Sequence, residues 1–124
     1  MRNLTHDLKK YDIVLVDFGN DVLDGEQGGI RPGLIIQNDV GNYYSNTTIV
    51  MMVMPLSTKI HKNRKQPTHT LLKKGESGLT QDSLLLGECM RQISEKRIIK
   101  YIGKVTDEIE KYNIKQVYLA NFGE

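Results

Sequence analysis

The segment from residue 19 to residue 33 constrains the fold most strongly, because it holds five of the chain's 11 glycines and also Pro32. Glycine and proline interrupt a helix, so this segment predicts a long loop with some backbone positions at positive φ. Loops of this length in compact domains are usually functional or disordered. Short apolar runs at 12–18 and 33–37 flank the loop, and each predicts a β-strand.

Further apolar segments extend the β pattern. Within the run 12–18, the apolar residues Ile13 to Val16 are consecutive rather than alternating with polar ones, which indicates a strand buried on both faces or one within a small closed barrel. The run from Thr47 to Met54 predicts a third strand that ends at Pro55. Three shorter segments predict additional strands: 68–72, 83–86 and 88–93.

Helical signals come late in the chain. Ser94 can cap a short helical turn through Ile99. Thr106 predicts the N-cap of the main helix, 106–121, because three acidic residues follow it in the first turn, where the helix dipole favours negative charge. Strands first and a helix last predict a mainly β (α+β) fold, a small antiparallel barrel with appended helices. With 124 residues, the chain is expected to form one domain spanning 1–124.

Composition excludes several classes of protein. Hydrophobic residues make up 39% and charged residues 26% of the chain, close to a globular average. The longest uncharged apolar run, 47–56, is far shorter than the roughly 20 residues of a membrane-spanning helix. The polar N-terminus, 1–10, carries both charge signs, so no signal peptide is expected. The single cysteine, Cys89, cannot form an internal disulfide, and a reducing, cytoplasmic setting is the simplest interpretation.

Metal and nucleotide motifs are absent from the sequence. His6, His61 and His69 lie far apart, without HxxxH or CxxC spacing, and there is neither GxxxxGK[ST] nor GxGxxG. We therefore expect no metal site and no cofactor. A ribonuclease mechanism that uses His61 and His69 as acid and base is conceivable, although lone histidines are more often structural or exposed.

The net charge of +2 hides an uneven distribution. Six of the 17 basic residues and none of the 15 acidic ones lie in 59–74, which we call the basic strip. The rest of the chain therefore carries 11 basic and 15 acidic residues, a balance of −4. Such a strip attracts phosphates with salt-dependent affinity, although on charge alone a solvated loop is the simpler interpretation.

Candidate catalytic groups are few. Arg31 stands where the glycine-rich loop enters a strand, and Pro32 biases it away from helical backbone, so its planar fork could face a phosphate. The alternative is a turn arginine that contacts solvent or a carboxylate. Ser57 and Thr58 place hydroxyl groups at the end of the third predicted strand.

Taken together, these features resemble a known family. The run 26–32, EQGGIRP, is followed by a strand and by the sequence QND at 37–39. Further segments match in the family's order: 41–42, 47–50, 55–60, 67–69, 82–86, Glu88, Arg91, Ile93 and 96–97. Nearly the whole chain resembles the MazF/PemK family of toxin endoribonucleases, and the Gram-positive MazF branch is the closest match.

This resemblance implies a fold, an activity and partners. The fold is a small SH3-like antiparallel β-barrel of the CcdB/PemK type with a C-terminal helix, acting as a homodimer. The activity is sequence-specific, metal-independent and ribosome-independent cleavage of single-stranded RNA. In the family the 2′-hydroxyl attacks the neighbouring phosphorus and leaves 2′,3′-cyclic phosphate and 5′-hydroxyl ends. The expected partner is an antitoxin of the MazE type, whose acidic tail competes for the RNA groove.

The resemblance also assigns roles to residues. Arg31 matches the family's catalytic arginine, and the catalytic hydroxyl falls on Ser57, or on Thr58 if the register slips by one residue. Cys89 departs from the pattern, since close relatives tend to have glutamine there, and this leaves the recognition sequence open. The implied RNA contacts are Glu26, Gln27, Gly28, Gly29, Lys59, His69, Ser83 and Glu88.

Two other functions remain as alternatives. A gyrase-poisoning toxin of the CcdB type shares the barrel but typically binds its target through a C-terminal tryptophan, and this chain has no tryptophan. A non-catalytic RNA-binding barrel would bind RNA without cutting it.

Overall fold

A computed structural model of the protein describes residues 8–19, 28–37, 50–59, 67–75 and 77–123. The described residues form seven β-strands, two short 3₁₀ turns and a C-terminal helix. The 3₁₀ turns span Gly87–Cys89 and Glu95–Arg97. The strands and the helix are β1 (Asp12–Asp17), β2 (Ile30–Ile35), β3 (Val50–Ser57), β4 (His69–Leu72), β5 (Ser83–Leu86), β6 (Arg91–Ser94), β7 (Ile98–Lys104) and α1 (Glu108–Phe122).

All strand pairings are antiparallel, in the order β4-β5-β3-β2-β1-β7, with β6 paired to β3. The long strand β3 is the centre of the sheet, because it pairs with β2, β5 and β6. Among the described residues the end strands β4 and β7 do not pair with each other, so the sheet is open there. The predicted mainly β fold with a C-terminal helix is confirmed.

The central strands are buried on both faces. Ile13 and Leu34, which lie opposite each other on β1 and β2, belong to one core cluster. Their neighbours Val14 and Ile35 belong to a second cluster, and all four side chains are fully buried. Successive strand residues point to opposite faces, so two cores flank the sheet. This explains why the residues from Ile13 to Val16 are consecutively apolar.

Strand β3 runs through Pro55 instead of ending there as predicted, and it extends to Ser57. Proline has no N–H for a ladder hydrogen bond, which normally keeps it out of central strands. Here β6 pairs with β3 only as far as Val53, and β5 pairs with it only from Leu56. Pro55 lies in the gap between these two partners, so the missing N–H leaves no partner unsatisfied.

The predicted strand 88–93 is wrong in its first half. Gly87–Cys89 form a 3₁₀ turn, and β6 begins at Arg91. A Cβ atom on Gly87 would lie 2.3 Å from Val117 Cγ1 and 2.8 Å from the Thr68 carbonyl oxygen. The absence of a side chain therefore lets this turn approach α1 closely.

Strand β7 is missing from the predictions, which placed a helical turn at 94–99. Ser94 does cap a turn, since its Oγ accepts a hydrogen bond from the Lys96 backbone N–H at 3.2 Å. The turn ends at Arg97, however, and β7 follows at once. Two register shifts between β1 and β7 and three successive exposed residues, 99–101, remove the alternating pattern that marks a strand.

Helix α1 begins two residues later than predicted. Asp107, not Thr106, is the N-cap, and its Oδ2 accepts a hydrogen bond of 2.9 Å from the Glu110 N–H. Ile114 and Val117 are buried against the sheet. The exposed face of α1 carries large apolar side chains: Ile109, Tyr112, Tyr118, Leu119 and Phe122. In the described part of the chain, no helix has the length and apolarity to cross a membrane.

Candidate active site

Arg31 lies inside a strand, because β2 begins at Ile30, three residues before the predicted start. It pairs with Val16 on β1 and is half-buried. Its Nε donates a hydrogen bond of 2.9 Å to the carbonyl oxygen of Gly28. This bond fixes the orientation of the guanidinium group at the point where the glycine-rich loop joins the sheet.

The register between β2 and β3 relates Arg31 to Ser57. Gly33 lies opposite Pro55, and Leu34 lies opposite Met54. The pairing of β2 with β3 ends at Gly33 and Pro55, so Arg31 and Ser57 each lie two residues beyond the last pair, where β3 pairs with β5 instead. Residues two apart along a strand point to the same face, so Arg31 lies on the face of Gly33 and Ser57 on the face of Pro55. The two predicted catalytic residues therefore share one face and one end of the sheet.

Ser57 and Thr58 have different surroundings. Ser57 is only 9% exposed, and its Oγ accepts a hydrogen bond of 3.2 Å from the Lys59 N–H. Thr58 is exposed and lines a cavity together with Pro32. Because Pro32 follows Arg31 directly in β2, their side chains point to opposite faces. The Thr58 cavity thus lies on the face away from Arg31.

Backbone hydrogen bonds close the base of the glycine-rich loop. The Gly29 N–H donates to the Gly19 carbonyl at 2.8 Å, and the Phe18 N–H donates to the Gly29 carbonyl at 2.9 Å. Gly19 and Gly29 have φ angles of +86° and +79°, as the glycine content predicts. Side chains rarely adopt these angles, so both ends of the loop need glycine.

Two further arginines hold this loop base, and the sequence assigned neither of them a role. Arg91 Nη1 donates to the Phe18 carbonyl at 3.3 Å, and its guanidinium carbon lies 5.7 Å from the Phe18 ring centroid. Arg97 Nη1 donates to the Asp17 carbonyl at 3.1 Å. Within the described residues, neither Arg91 nor Arg97 forms an ion pair with a carboxylate. We call Arg31, Arg91 and Arg97 the arginine cluster, whose positive charge favours an anion such as a phosphate.

Two of the predicted RNA contacts lie beside Arg31, and a third follows Ser57. Gly28 and Gly29 form the end of the loop next to Arg31, and Lys59 is exposed two residues after Ser57. Ser83 is buried, and its hydroxyl donates to the Gln81 carbonyl at 3.0 Å. Two more predicted contacts lie outside the described residues: Glu26 and Gln27.

His69 Nε2 and Glu88 Oε1 form a hydrogen bond between β4 and the 3₁₀ turn after β5. The side chain of His69 is 15% exposed and that of Glu88 is 43% exposed. His69 pairs with Leu86 on β5, whereas Ser57 pairs with Leu84. The His69–Glu88 pair is therefore separated from Ser57 by strand β5 and is shifted by two residues along it. The two-histidine alternative also needs His61, which lies outside the described residues.

The basic strip is described only at its two ends. Lys59 lies near Ser57, whereas Lys73 and Lys74 follow β4. The backbone N–H groups of Lys73 and Lys74 donate to carboxylates of Glu110 at 3.1 Å and Asp82 at 2.9 Å, so acidic groups adjoin that end. The other cations of the strip lie outside the described residues: Lys62, Arg64 and Lys65.

Comparison with known proteins identifies the class. Residues 9–118 match the family described as PemK-like, MazF-like toxin of type II toxin-antitoxin systems, and the chain belongs to this family. The chain is also similar to endoribonuclease EndoA of Bacillus subtilis (strain 168). The two are 37% identical over 102 residues, which cover 82% of this chain and 84% of that protein.

Solved structures share the fold. A mycobacterial endoribonuclease in complex with its cognate antitoxin matches with a TM-score of 0.70 and 18% identity, over 94% of this chain and 95% of that chain. MazF from Deinococcus radiodurans also matches with a TM-score of 0.70, at 17% identity over 94% of this chain and 97% of that chain. At these identities the likeness establishes the fold alone.

Proposed function

We propose that this protein is the toxin of a type II toxin-antitoxin system and cleaves single-stranded RNA at a specific sequence, independently of the ribosome. Membership of the PemK/MazF family and the similarity to EndoA support the class of activity. The single observation that supports the proposal is that Arg31 and Ser57 share one face at the same end of the paired strands β2 and β3. The activity is assigned to one toxin domain spanning 1–124.

The substrate supplies the nucleophile in the proposed reaction. The 2′-hydroxyl oxygen attacks the adjacent phosphorus, and the bond to the 5′ oxygen breaks. The products are a 2′,3′-cyclic phosphate and a 5′-hydroxyl. This chemistry requires neither a protein nucleophile nor a metal ion, so the protein has to bind the phosphate, orient the 2′-hydroxyl and stabilise the developing charge.

Arg31 stabilises the negative charge that builds on the phosphoryl oxygens. Its hydrogen bond to Gly28 holds the guanidinium before the substrate arrives, so little reorganisation accompanies the reaction. Removing one such preorganised donor typically raises a transition-state barrier by about 3–4 kcal/mol.

Ser57 orients the 2′-hydroxyl or the phosphate from the neighbouring strand. The register favours Ser57 over Thr58, because Ser57 lies on the face of Arg31 whereas Thr58 lines the cavity on the other face. The Ser57 hydroxyl still has its proton to donate, since it accepts its bond from the Lys59 N–H.

The RNA bases are read by polar groups around this centre. Exposed single-strand bases are recognised through hydrogen bonds to their edges. The groups proposed for this role are Glu26, Gln27, the backbone of Gly28 and Gly29, Lys59, His69, Ser83 and Glu88. Because Ser83 is buried and its hydroxyl is bonded to Gln81, it would contact a base only as an acceptor.

The proposed partners are an acidic antitoxin of the MazE type and a second copy of the chain, in a cytoplasmic setting. A mycobacterial relative was solved with its cognate antitoxin, and a Deinococcus radiodurans MazF was solved as a MazE-MazF complex. An acidic tail that competes with RNA for the arginine cluster would neutralise the same charges that attract phosphate. Its affinity should fall as salt concentration rises.

A matched pair of oligonucleotides tests the proposed chemistry. One is an RNA that contains the cut site, and the other carries a single 2′-deoxy sugar on the 5′ side of the scissile phosphate. We expect cleavage of the first only, with a 2′,3′-cyclic phosphate on the upstream product. Equal cleavage of both would exclude attack by the 2′-hydroxyl.

A further inference from the structure

A cavity of about 450 Å³ opens on the face of the sheet that points away from the Arg31 side chain. Its volume falls within the range of about 300–1,000 Å³ that is usual for small-ligand sites. The walls come from β1, β2, β7 and the segment 78–83, together with Thr58 at the end of β3. No role has so far been given to this cavity.

The cavity adjoins both proposed catalytic residues. Pro32 in its wall follows Arg31 directly, and Thr58 follows Ser57 directly. Adjacent strand residues are about 3.3 Å apart along the chain and point to opposite faces. Because β2 begins at Ile30 and β3 ends at Ser57, an RNA that reaches both Arg31 and the cavity has to pass the ends of these two strands.

The wall chemistry suits a nucleobase. Leu15, Pro32 and Ile102 supply apolar surface for the flat faces of a ring. Lys100 pairs with Leu15 across β1 and β7, so its side chain lies on the cavity face. Gln81 adds an amide that both donates and accepts hydrogen bonds. One cation among mainly apolar walls fits a base better than a phosphate.

We propose that this cavity binds the unpaired base of a nucleotide next to the scissile phosphate, and that Lys100 helps to select that base. The proposal rests on the proposed function. Lysine has three donors and no acceptor, so it favours a base that presents carbonyl or ring-nitrogen acceptors on its edge. Lys100 thus acts in specificity and takes no part in the bond-breaking step.

Abasic substitution combined with a charge-removing variant tests this assignment. Lys100→Met keeps an apolar stem, and Lys104→Met is the matched control, because Lys104 is on the same strand but outside the cavity wall. An abasic nucleotide at one position beside the cut should lower wild-type kcat/KM about tenfold or more. Lys100→Met should show a comparable loss on intact RNA and little further loss on the abasic RNA. Lys104→Met should behave like the wild type.

Additive effects of the variant and the abasic substitution would overturn the proposal, as would equal behaviour of Lys100→Met and Lys104→Met. Gln81→Ala provides a second cavity variant and should change the same position. Binding of an uncleavable 2′-deoxy oligonucleotide, measured by fluorescence anisotropy, repeats the comparison without catalysis. If the wild type cleaves no RNA, the proposed function is wrong. The anisotropy measurement then decides by itself whether the cavity binds a base.

Discussion

Arg31 donates a hydrogen bond of 2.9 Å from Nε to the carbonyl oxygen of Gly28, three residues earlier in the chain. The bond ties the proposed catalytic side chain to the last turn of the glycine-rich loop. Movement of the loop end is therefore coupled to the direction of the guanidinium group. Arg31→Lys should remove this coupling and the planar fork but keep the positive charge.

We expect Arg31→Lys to lower the single-turnover cleavage rate about 100-fold, because a lysine donates to the phosphate as a point charge without a fixed orientation. The melting temperature should stay close to that of the wild type, since Arg31 is only half-buried. A lysine variant that cleaves at the wild-type rate would show that charge alone is sufficient.

The two candidate hydroxyls give separable predictions. Ser57→Ala should lower kcat about 100-fold, as expected for the loss of a positioned hydrogen-bonding group. Thr58→Val should keep kcat near the wild-type value, because Thr58 lines the cavity on the other face, where a lost contact to the base weakens binding and raises KM. Steady-state kinetics on one RNA substrate distinguish the two variants, and the reverse pattern would assign the catalytic hydroxyl to Thr58.

Arg91 should stabilise the folded protein in addition to contributing positive charge to the arginine cluster. Its side chain donates to the Phe18 carbonyl and lies over the Phe18 ring. Arg91→Gln should lower the free energy of unfolding by about 1.5–3 kcal/mol, the usual contribution of a hydrogen bond to a charged group. Lys96→Gln removes a neighbouring exposed cation whose side chain forms no hydrogen bond or ion pair within the described residues. This variant should change the free energy of unfolding by less than about 0.5 kcal/mol. Urea denaturation measures both values, and equal effects would contradict the role given to Arg91.

Tyr101 makes stability depend on pH at the alkaline end. Tyr101 is about half exposed, and partial desolvation of its phenol raises the pKa above the ordinary value of 10.0, with the Asp12 carboxylate adding to the shift. Above about pH 10 the unfolded chain loses this proton more readily than the folded one, so the free energy of unfolding should fall as pH rises. Tyr101→Phe should reduce that fall while keeping a constant difference from the wild type between pH 7 and 9. Parallel curves above pH 10 would contradict the shift.

Local sequence patterns predicted the central strands well. Strand β5 has the predicted bounds, 83–86, and β1 differs by one residue. Both contain dense apolar runs, because two cores flank the sheet. The resemblance to the family also proposed Arg31 and Ser57 as catalytic residues. This assignment stays a prediction, and the two residues lie on one face at the same end of β2 and β3.

Features that depend on tertiary partners were not predictable in the same way. Pro55 is compatible with β3 only because β6 and β5 leave a gap there. Strand β7 is irregular and half-exposed, so its sequence lacks a strand period. Arg91 and Arg97 donate to backbone carbonyls about 73 and 80 residues away in the chain, and no local motif encodes such contacts.

A double-mutant cycle between Arg31 and Ser57 tests the central claim most directly. Single-turnover cleavage rates of Arg31→Ala, Ser57→Ala and the double variant are compared with the wild type on one RNA. Residues that act on the same phosphate as a unit are strongly non-additive. We predict that the double variant is about as slow as the slower single variant. Rate losses that multiply would contradict a shared site for Arg31 and Ser57.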